Sequence, residues 1–428
     1  MLQADPRHFD ALICLGDLAV ELGHRRAART ALEQAVRVRP QSPIGHTNLA
    51  TLLREDGETS EAREHYQAAL RLDPVSSGAH QGLAILLLRL GELEAARIHG
   101  RLGVLGQAQA SPYRGDKRPV PLLLLLSALG NAPLEPFIDD RIFLKWTVFV
   151  EFLDPAAELP PHDLVLNAIG DADRCASGLE LAERILARTT APVLNLPSRV
   201  RATGRAANAE RLGQLSGVVS ARTAEWTRES LLASDAPSAL ERGGFAWPLL
   251  LRSPGYHTGK HFVKVDGPAD LPSAIEALPG ARLLVMQFVD TRSADGQFRK
   301  YRVMVVDGVL YPFHLAVSSN WKVHYLTADM ADHPEYRAED DAFLKDMSQV
   351  LGQDVLRTLD RIRDQLGLDY GGVDFGFDAR GNLVVFEANA TMAMLAPQGD
   401  DRWDYRRTPV NRVREATRRM LVARAGRR

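Results

Sequence analysis

The hydrophobic pattern of the chain changes character after its first hundred residues. Up to there, apolar positions recur at helical spacing and the whole pattern repeats. Pro6, Pro40 and Pro74 stand 34 residues apart; Leu15, Leu49 and Leu83, then Gly23, Gly57 and Gly91, then Ala28, Ala62 and Ala96 keep the same interval. A period of that length predicts paired helices, with glycine at the inter-helix turn, alanine at close helix contacts and proline after the second helix. The third repeat decays where Gly100 and Gly103 replace larger packing residues. Ser111 to Pro119 is polar, holds Pro112 and Gly115, and reads as a linker. Beyond it, short apolar runs at 120–126, 143–152, 164–169 and 192–196, with a helical stretch at 179–187, predict a small α/β sheet of buried strands. After about Pro197 a helix precedes a series of strands at 247–252, 283–289, 300–306 and 309–315. An amphipathic helix over 351–366 then leads into a hairpin over 371–389.

The repeats resemble tetratricopeptide repeats, and Met1 to Pro6 reads as the tail of an earlier one. Such arrays typically offer a concave surface to a peptide or protein, and a scaffold or homodimer contact is the other expected use. The 428 residues predict about two to four domains. A net charge of −2 with both signs interspersed gives no reason to expect nucleic acid or an anionic membrane as partner. Cys14 and Cys175 lie far apart, which argues against a disulfide framework and fits a reducing cytosol. No signal peptide is visible, and the longest apolar run, Pro121 to Leu126, is far too short to span a bilayer. The expectation is a cytoplasmic protein.

The hairpin carries the most chemistry. Gly371-Gly-Val-Asp374 lies on its first strand, Asp378-Ala-Arg-Gly381-Asn forms the turn, and Glu387-Ala-Asn389 ends its second strand. Glu387 and Asn389 are two apart and share a face; Asp374 joins them if the strands pair. Three hard oxygen donors gathered this way suit Mg²⁺. The competing reading is a surface hairpin with solvated acids, set against the cost of placing Glu387 in an apolar strand without a partner. Upstream, Ser253-Pro-Gly255-Tyr-His-Thr258-Gly259-Lys260 forms a polar loop between strands, able to fold backbone amides over phosphate. Asn131, Asn167 and Asp171 stand at predicted strand ends, where ligands of open sheets commonly sit, with no role assigned.

Together, residues from about 117 to 424 resemble the ATP-grasp superfamily, in particular its branch of ribosomal-protein glutamate ligases and glutathione synthetases. Asp374, Glu387 and Asn389 match the magnesium signature of that superfamily in type and order. Arg252, ending Trp247-Pro-Leu-Leu-Leu-Arg252, and Arg205 fall where the family has phosphate-contacting lysines. Leu284-Val-Met286-Gln287-Phe288-Val289 is similar to the strand that hydrogen-bonds adenine, and Lys300-Tyr-Arg302 resembles an Asp-x-Arg whose arginine faces the reacting phosphate. The fold implied is an all-α tetratricopeptide solenoid over 1–110, an α/β pre-ATP-grasp domain over 117–198 and an α+β ATP-grasp domain over 199–424. Within the last, the lid would cover about 199–288 and the catalytic subdomain about 289–424.

The resemblance implies ATP and Mg²⁺. Arg205, Arg252, Gly255, Thr258, Gly259, Met286, Gln287, Phe288 and Val289 would hold the nucleotide, and Asp374, Glu387 and Asn389 the metal. Arg302, His314 and Lys322 would act at the reacting groups. Several departures bear on function. Arginine replaces lysine at 205 and 252, a bulkier and planar cation. Lys300 replaces an acid, and Ala390-Thr-Met-Ala-Met394 replaces the usual Ser-Pro-Gly after Asn389. His314, Asn320, Lys322 and His324 stand where the glutamate-ligase branch has substrate residues, so substrate identity does not carry over. The implied activity is a carboxylate–amine ligase working through an acyl phosphate, with the repeats recruiting a peptide or protein. A small-molecule kinase, a peptide macrocyclase, and a repeat scaffold carrying a degenerate nucleotide domain are the alternatives.

Overall fold

The computed structural model describes residues 5–132, 134, 137–256, 259–324, 328–394 and 401–426. The chain forms two compact units: one of residues 1–111 with 146–161, the other of residues 112–145 with 162–428.

Among its described residues the first unit holds six helices in three hairpins: α1 (Phe9–Glu21) with α2 (Arg25–Val38), α3 (Pro43–Asp56) with α4 (Thr59–Leu72), and α5 (Ser77–Arg89) with α6 (Leu93–Leu102). Gly23, Gly57 and Gly91 turn each hairpin at φ of 77°, 88° and 79°, a left-handed backbone that only glycine adopts without strain. Ala28, Ala62 and Ala96 are wholly buried where the paired helices meet. A short strand, β1 (Gln109–Ala110), pairs antiparallel with Thr147 and Trp146. The decay of the third repeat has a packing cause. A Cβ on Gly100 would lie 2.4 Å from the ring of Phe152, which is itself 2 % exposed. The large side chain missing from α6 is thus supplied from fifty residues downstream. Residues 146–161 group with the repeats in the first unit.

The second unit opens with β2 (Val120–Leu126), β3 (Phe143–Phe149), which runs on into the first unit, and β4 (Leu164–Asn167). After α7 (Ala176–Leu186) comes β5 (Val193–Leu194). β2, β4 and β5 are parallel neighbours, and β3 lies on the other side of β2. Leu122 to Leu125 are all buried, as the continuous apolar run requires of a strand covered on both faces. Next come α8 (Pro197–Arg201), α9 (Arg205–Gly213), β6 (Val218–Ser220) and β7 (Thr223–Thr227), then two short helices, α10 (Arg228–Leu232) and α11 (Ala236–Arg242). β8 (Leu249–Arg252), β9 (Phe262–Val265), α12 (Leu271–Glu276) and β10 (Arg282–Gln287) complete an antiparallel sheet of order β7-β10-β8-β9. Its own core includes Leu240, Phe245, Leu249, Leu251, Ile275 and Val285.

The third sheet contains β11 (Phe298–Val306), β12 (Val309–Ser318), β13 (Tyr370–Phe377) and β14 (Leu383–Asn389), in the order β12-β11-β13-β14-β6. Three helices, α13 (Pro334–Lys345), α14 (Met347–Leu351) and α15 (Gln353–Leu366), precede the hairpin, and α16 (Arg407–Arg424) follows it. The helix expected over 351–366 forms as α15 from Gln353, and Gly352, at φ of 76°, separates it from α14. One core joins the first and third sheets, with Leu124, Phe137, Met304, Tyr370, Met392 and Val413 among its members. Buried Asn195 ties β13 in place, pairing its side-chain amide with both the N–H and the carbonyl of Tyr370. No described helix is long and apolar enough to cross a membrane.

Candidate active site

The register of the third sheet builds the site. His314 on β12 pairs with Arg302 on β11, Arg302 with Asp374 on β13, and Asp374 with Glu387 on β14. Four chemistry-bearing residues therefore form one row across four strands, where directly opposed side chains share a face. The ladder shifts register immediately after Arg302 and again after Asp374. Bulges of this kind re-aim side chains and are common beside active sites. Gly371 and Gly372 allow the close crossing beneath: a Cβ there would lie 2.8 Å from the Asn389 carbonyl oxygen and 2.8 Å from Met392 respectively.

Asp374 is 2 % exposed, which excludes the solvated-hairpin reading. Arg302 grips it in a fork, Nε to Oδ1 at 2.5 Å and a terminal nitrogen to Oδ2 at 2.8 Å, and Lys300 stands 3.2 Å from Oδ2. Burial alone would raise its pKa, but the Arg302 and Lys300 charges outweigh that and hold it well below the usual carboxylate range. Glu387 accepts from Arg205 at 2.8 Å and from the Asn389 amide at 2.9 Å. Its pKa is lowered too: burial and Asp374 push it up, and Arg205, Arg252 and Arg302 more than offset them. Arg205 opens α9, and its backbone N–H is held by Asp173. Arg252 ends β8 and donates to the Tyr256 carbonyl. It ion-pairs with no carboxylate among the described residues, and burial and the neighbouring Arg205 push its pKa down to about 10. A buried cation set among cations is stabilised by an incoming anion. His314 is buried and neutral, its pKa pushed well below the ordinary imidazole value by burial and then by Arg302 and Arg406.

These groups line one cavity of about 580 Å³, within the range of small-molecule sites. Of the residues singled out from sequence, Arg205, Arg252, Gly259, Met286, Gln287, Phe288, Val289, Arg302, His314, Lys322, Asp374 and Glu387 all line it. Asn389 lies beside Glu387 on a smaller adjoining recess. Gly255 turns the loop after β8 at φ 81°, and its carbonyl accepts from Arg174 at 3.1 Å. Thr258 lies outside the described residues. Gln287 lines the cavity, but its side chain is turned back: it accepts from Ala246 N–H at 2.9 Å and donates to the Ala246 carbonyl at 2.8 Å. Lys322 runs along Gly259, within about 3.5 Å of the Gly259 and Phe262 carbonyls. It therefore belongs to the side of the cavity formed by the loop after β8.

Sequence reasoning left other cavity residues without a role. Lys300, which departs from the acid of the ligase branch, is the second cation on Asp374. Trp321 meets Phe262 and Phe288 edge-on at 5.2 and 6.2 Å and forms an aromatic wall. Arg174 had no signal at all. Asn131 and Asp171, noted at strand ends, do line the cavity, whereas Asn167 is buried bonding Asn195 and Ile169.

The donor set fits a hard divalent cation. Asp374 and Glu387 face each other across β13 and β14, and Asn389 adds an amide oxygen that already accepts from Thr391. No cluster of three His, Cys, Asp or Glu side chains suited to a metal occurs among the described residues, so the set depends on the asparagine.

The family model for the tetratricopeptide repeat matches residues 15–77 and 47–113, and the first unit contains such repeats. No curated protein matches the sequence. Similar solved structures include the D-alanine-D-alanine ligase from Coxiella burnetii, at 10 % identity and a TM-score of 0.45, over 72 % of this chain and 96 % of that one. The VanG D-Ala:D-Ser ligase from Enterococcus faecalis is similar at 14 % identity and a TM-score of 0.45, over 72 % of this chain and all of that one. MamA is similar over 24 % of this chain and 60 % of its own, at 23 % identity and a TM-score of 0.23.

Proposed function

We propose that the second unit is an ATP-grasp ligase that joins a carboxylate to an amine at the expense of ATP, and that the repeats recruit a peptide or protein substrate. The observation that carries this reading is the row Arg302–Asp374–Glu387, flanked by Arg205, Arg252 and Lys300 and facing one cavity. Acids paired in register beside a surplus of cations suit a triphosphate with its metal, and no nucleophile–base pair for covalent catalysis is needed.

Asp374, Glu387 and Asn389 would hold Mg²⁺, which when bound neutralises charge on the phosphates. Arg252, free of any acid partner among the described residues, takes the phosphate oxygens in a planar fork. The substrate carboxylate attacks the γ-phosphorus, the bond to the ADP oxygen breaks, and Arg302 and Arg205 offset the charge that develops. The amine then attacks the acyl carbon, phosphate leaves, and an amide is formed. Neutral His314 cannot add charge to that row and serves to orient. Phe288 and Trp321 offer the base an apolar, aromatic wall.

The test is to incubate the protein with Mg²⁺, ATP and pooled peptides and amino acids, following ADP, free phosphate and product mass together. A ligase yields ADP and phosphate in equal amounts with a condensed product. ADP with the phosphate retained on the acceptor means a kinase instead. Glu387→Gln is expected to abolish turnover while the fold is kept. Retained turnover in that variant rules out the role given to Glu387.

A further inference from the structure

Two pairs of histidines lie in the helical repeats of the first unit. His46 on α3 and His65 on α4 meet Nδ1 to Nδ1 at 2.9 Å. His80 on α5 and His99 on α6, each 34 positions further along, meet at 2.8 Å. In both pairs the first ring places Nε2 3.0 Å from a proline carbonyl, that of Pro40 or of Pro74. A carbonyl only accepts, so Nε2 of His46 and of His80 carries the hydrogen, and in the neutral ring Nδ1 is a bare acceptor. His65 and His99 must then donate from their own Nδ1. Each pair can take one further proton, at Nε2 of His65 or His99. A second proton would set one N–H against another on the same short line, and the two rings would have to part. The first repeat has no such pair, since Leu12 and Ala31 occupy the matching positions.

We propose that these two hairpins are a proton-responsive latch in the repeat unit, closed while each pair shares a hydrogen and released when both rings of a pair are protonated. Glu33 on α2, Glu64 on α4 and His46 face His65, whereas His80 is the group facing His99. Burial first, then the partner ring, lowers the pKa of both His65 and His99. Their pKa values in the folded state thus lie below the unfolded value of about 6.5, so their contribution is complete above that pH and is lost as pH falls below it. The two glutamates draw protons toward His65 and soften the effect there. The α5–α6 hairpin, without them, is the more sensitive.

If the closed pair excludes one proton that the open pair binds, opening rises tenfold per pH unit below about 6.5, or about thirtyfold between pH 7.5 and 5.0. Hydrogen exchange of the full-length chain, corrected for intrinsic rates, reads this directly. Peptides from α3–α6 are expected to lose about thirtyfold in protection over that interval, while α1–α2 serves as the internal control and changes little. The double variant His65→Gln/His99→Gln sets an amide against the bare Nδ1 that donates its N–H to it and, turned over, accepts from it once it is protonated, so no proton parts the pair and the response is expected to flatten. A loss under threefold in the wild type, an equal loss in α1–α2, or an undiminished loss in the double variant would each overturn the proposal. Should the double variant not fold, the single variant His99→Gln decides the matter, with α3–α4 keeping its response and α5–α6 losing it.

Discussion

Replacing Arg302 with Met tests whether the row across the third sheet is one electrostatic unit. Arg302 contributes two charge-assisted hydrogen bonds to Asp374, whose side chain is 3 % exposed. Removing one partner of a buried pair costs about 3–5 kcal/mol, because the other charge stays buried without it. Lys300 at 3.2 Å remains and offsets part of that loss, which sets the expectation near the low end, about 3 kcal/mol. Asp374→Asn, which leaves two cations facing each other, is expected to cost a similar amount. The double variant has neither orphan and should lose no more than either single variant, so the coupling energy is at least about 3 kcal/mol. The assay is hydrogen exchange in graded urea on the full chain, read from peptides of β11 and β13. Losses in the double variant that equal the sum of the single ones to within about 0.5 kcal/mol would refute the reasoning. A pH series adds a sign. The pKa of Asp374 in the folded state is depressed, so its contribution is present above the unfolded value of about 4 and is lost as pH falls from there. Asp374→Asn should remove that acid limb.

The remaining predictions concern binding and packing. Arg205, Arg252, Lys300 and Arg302 outnumber Asp374 and Glu387 on the cavity wall, so Mn²⁺ alone should bind weakly. A non-hydrolysable ATP analogue should raise its affinity at least tenfold by titration, and equal affinity with and without nucleotide would contradict this. Gln287→Ala removes both bonds to Ala246 and should destabilise the sheet β7-β10-β8-β9 by about 1–3 kcal/mol, raising KM for ATP more than it lowers kcat; an unchanged KM counts against a positioning role. Phe152→Ala should cost the first unit about 3–5 kcal/mol, and Gly100→Ala about 1–3 kcal/mol through overpacking against the same ring. Thermal unfolding of the two variants checks this, and a neutral Gly100→Ala would mean the contact is loose.

Much of the site was legible because its residues sit on local patterns. The hairpin, the Gly-containing loop after β8 and the arginines at 205 and 252 each stand next to turn or strand signals, and Arg205, Arg252, Gly259, Asp374 and Glu387 from them line one cavity. What could not be read is long-range. Arg174 reaches Gly255 across eighty residues, and nothing near it in sequence announces the contact. Lys300 looked like a lost acid because its partner lies 74 positions away on another strand. Gln287 stands at the position the resemblance assigns to the base, yet the backbone N–H and carbonyl of Ala246, just before β8, take its amide. Short elements such as β6 and β7 carry too few residues to show a period, and they form only where a neighbouring strand supplies the ladder.

The filling of the Gly100 socket by Phe152 has a consequence for how this chain is made. Synthesis is directional, and 52 residues separate the socket from its plug. At about 5–20 residues per second, the third hairpin waits several seconds on the ribosome with its apolar gap open. The first two hairpins face no such delay. Anything that holds nascent chains, or any stall between codons 100 and 152, would therefore act on that third hairpin before most of the second unit has been translated.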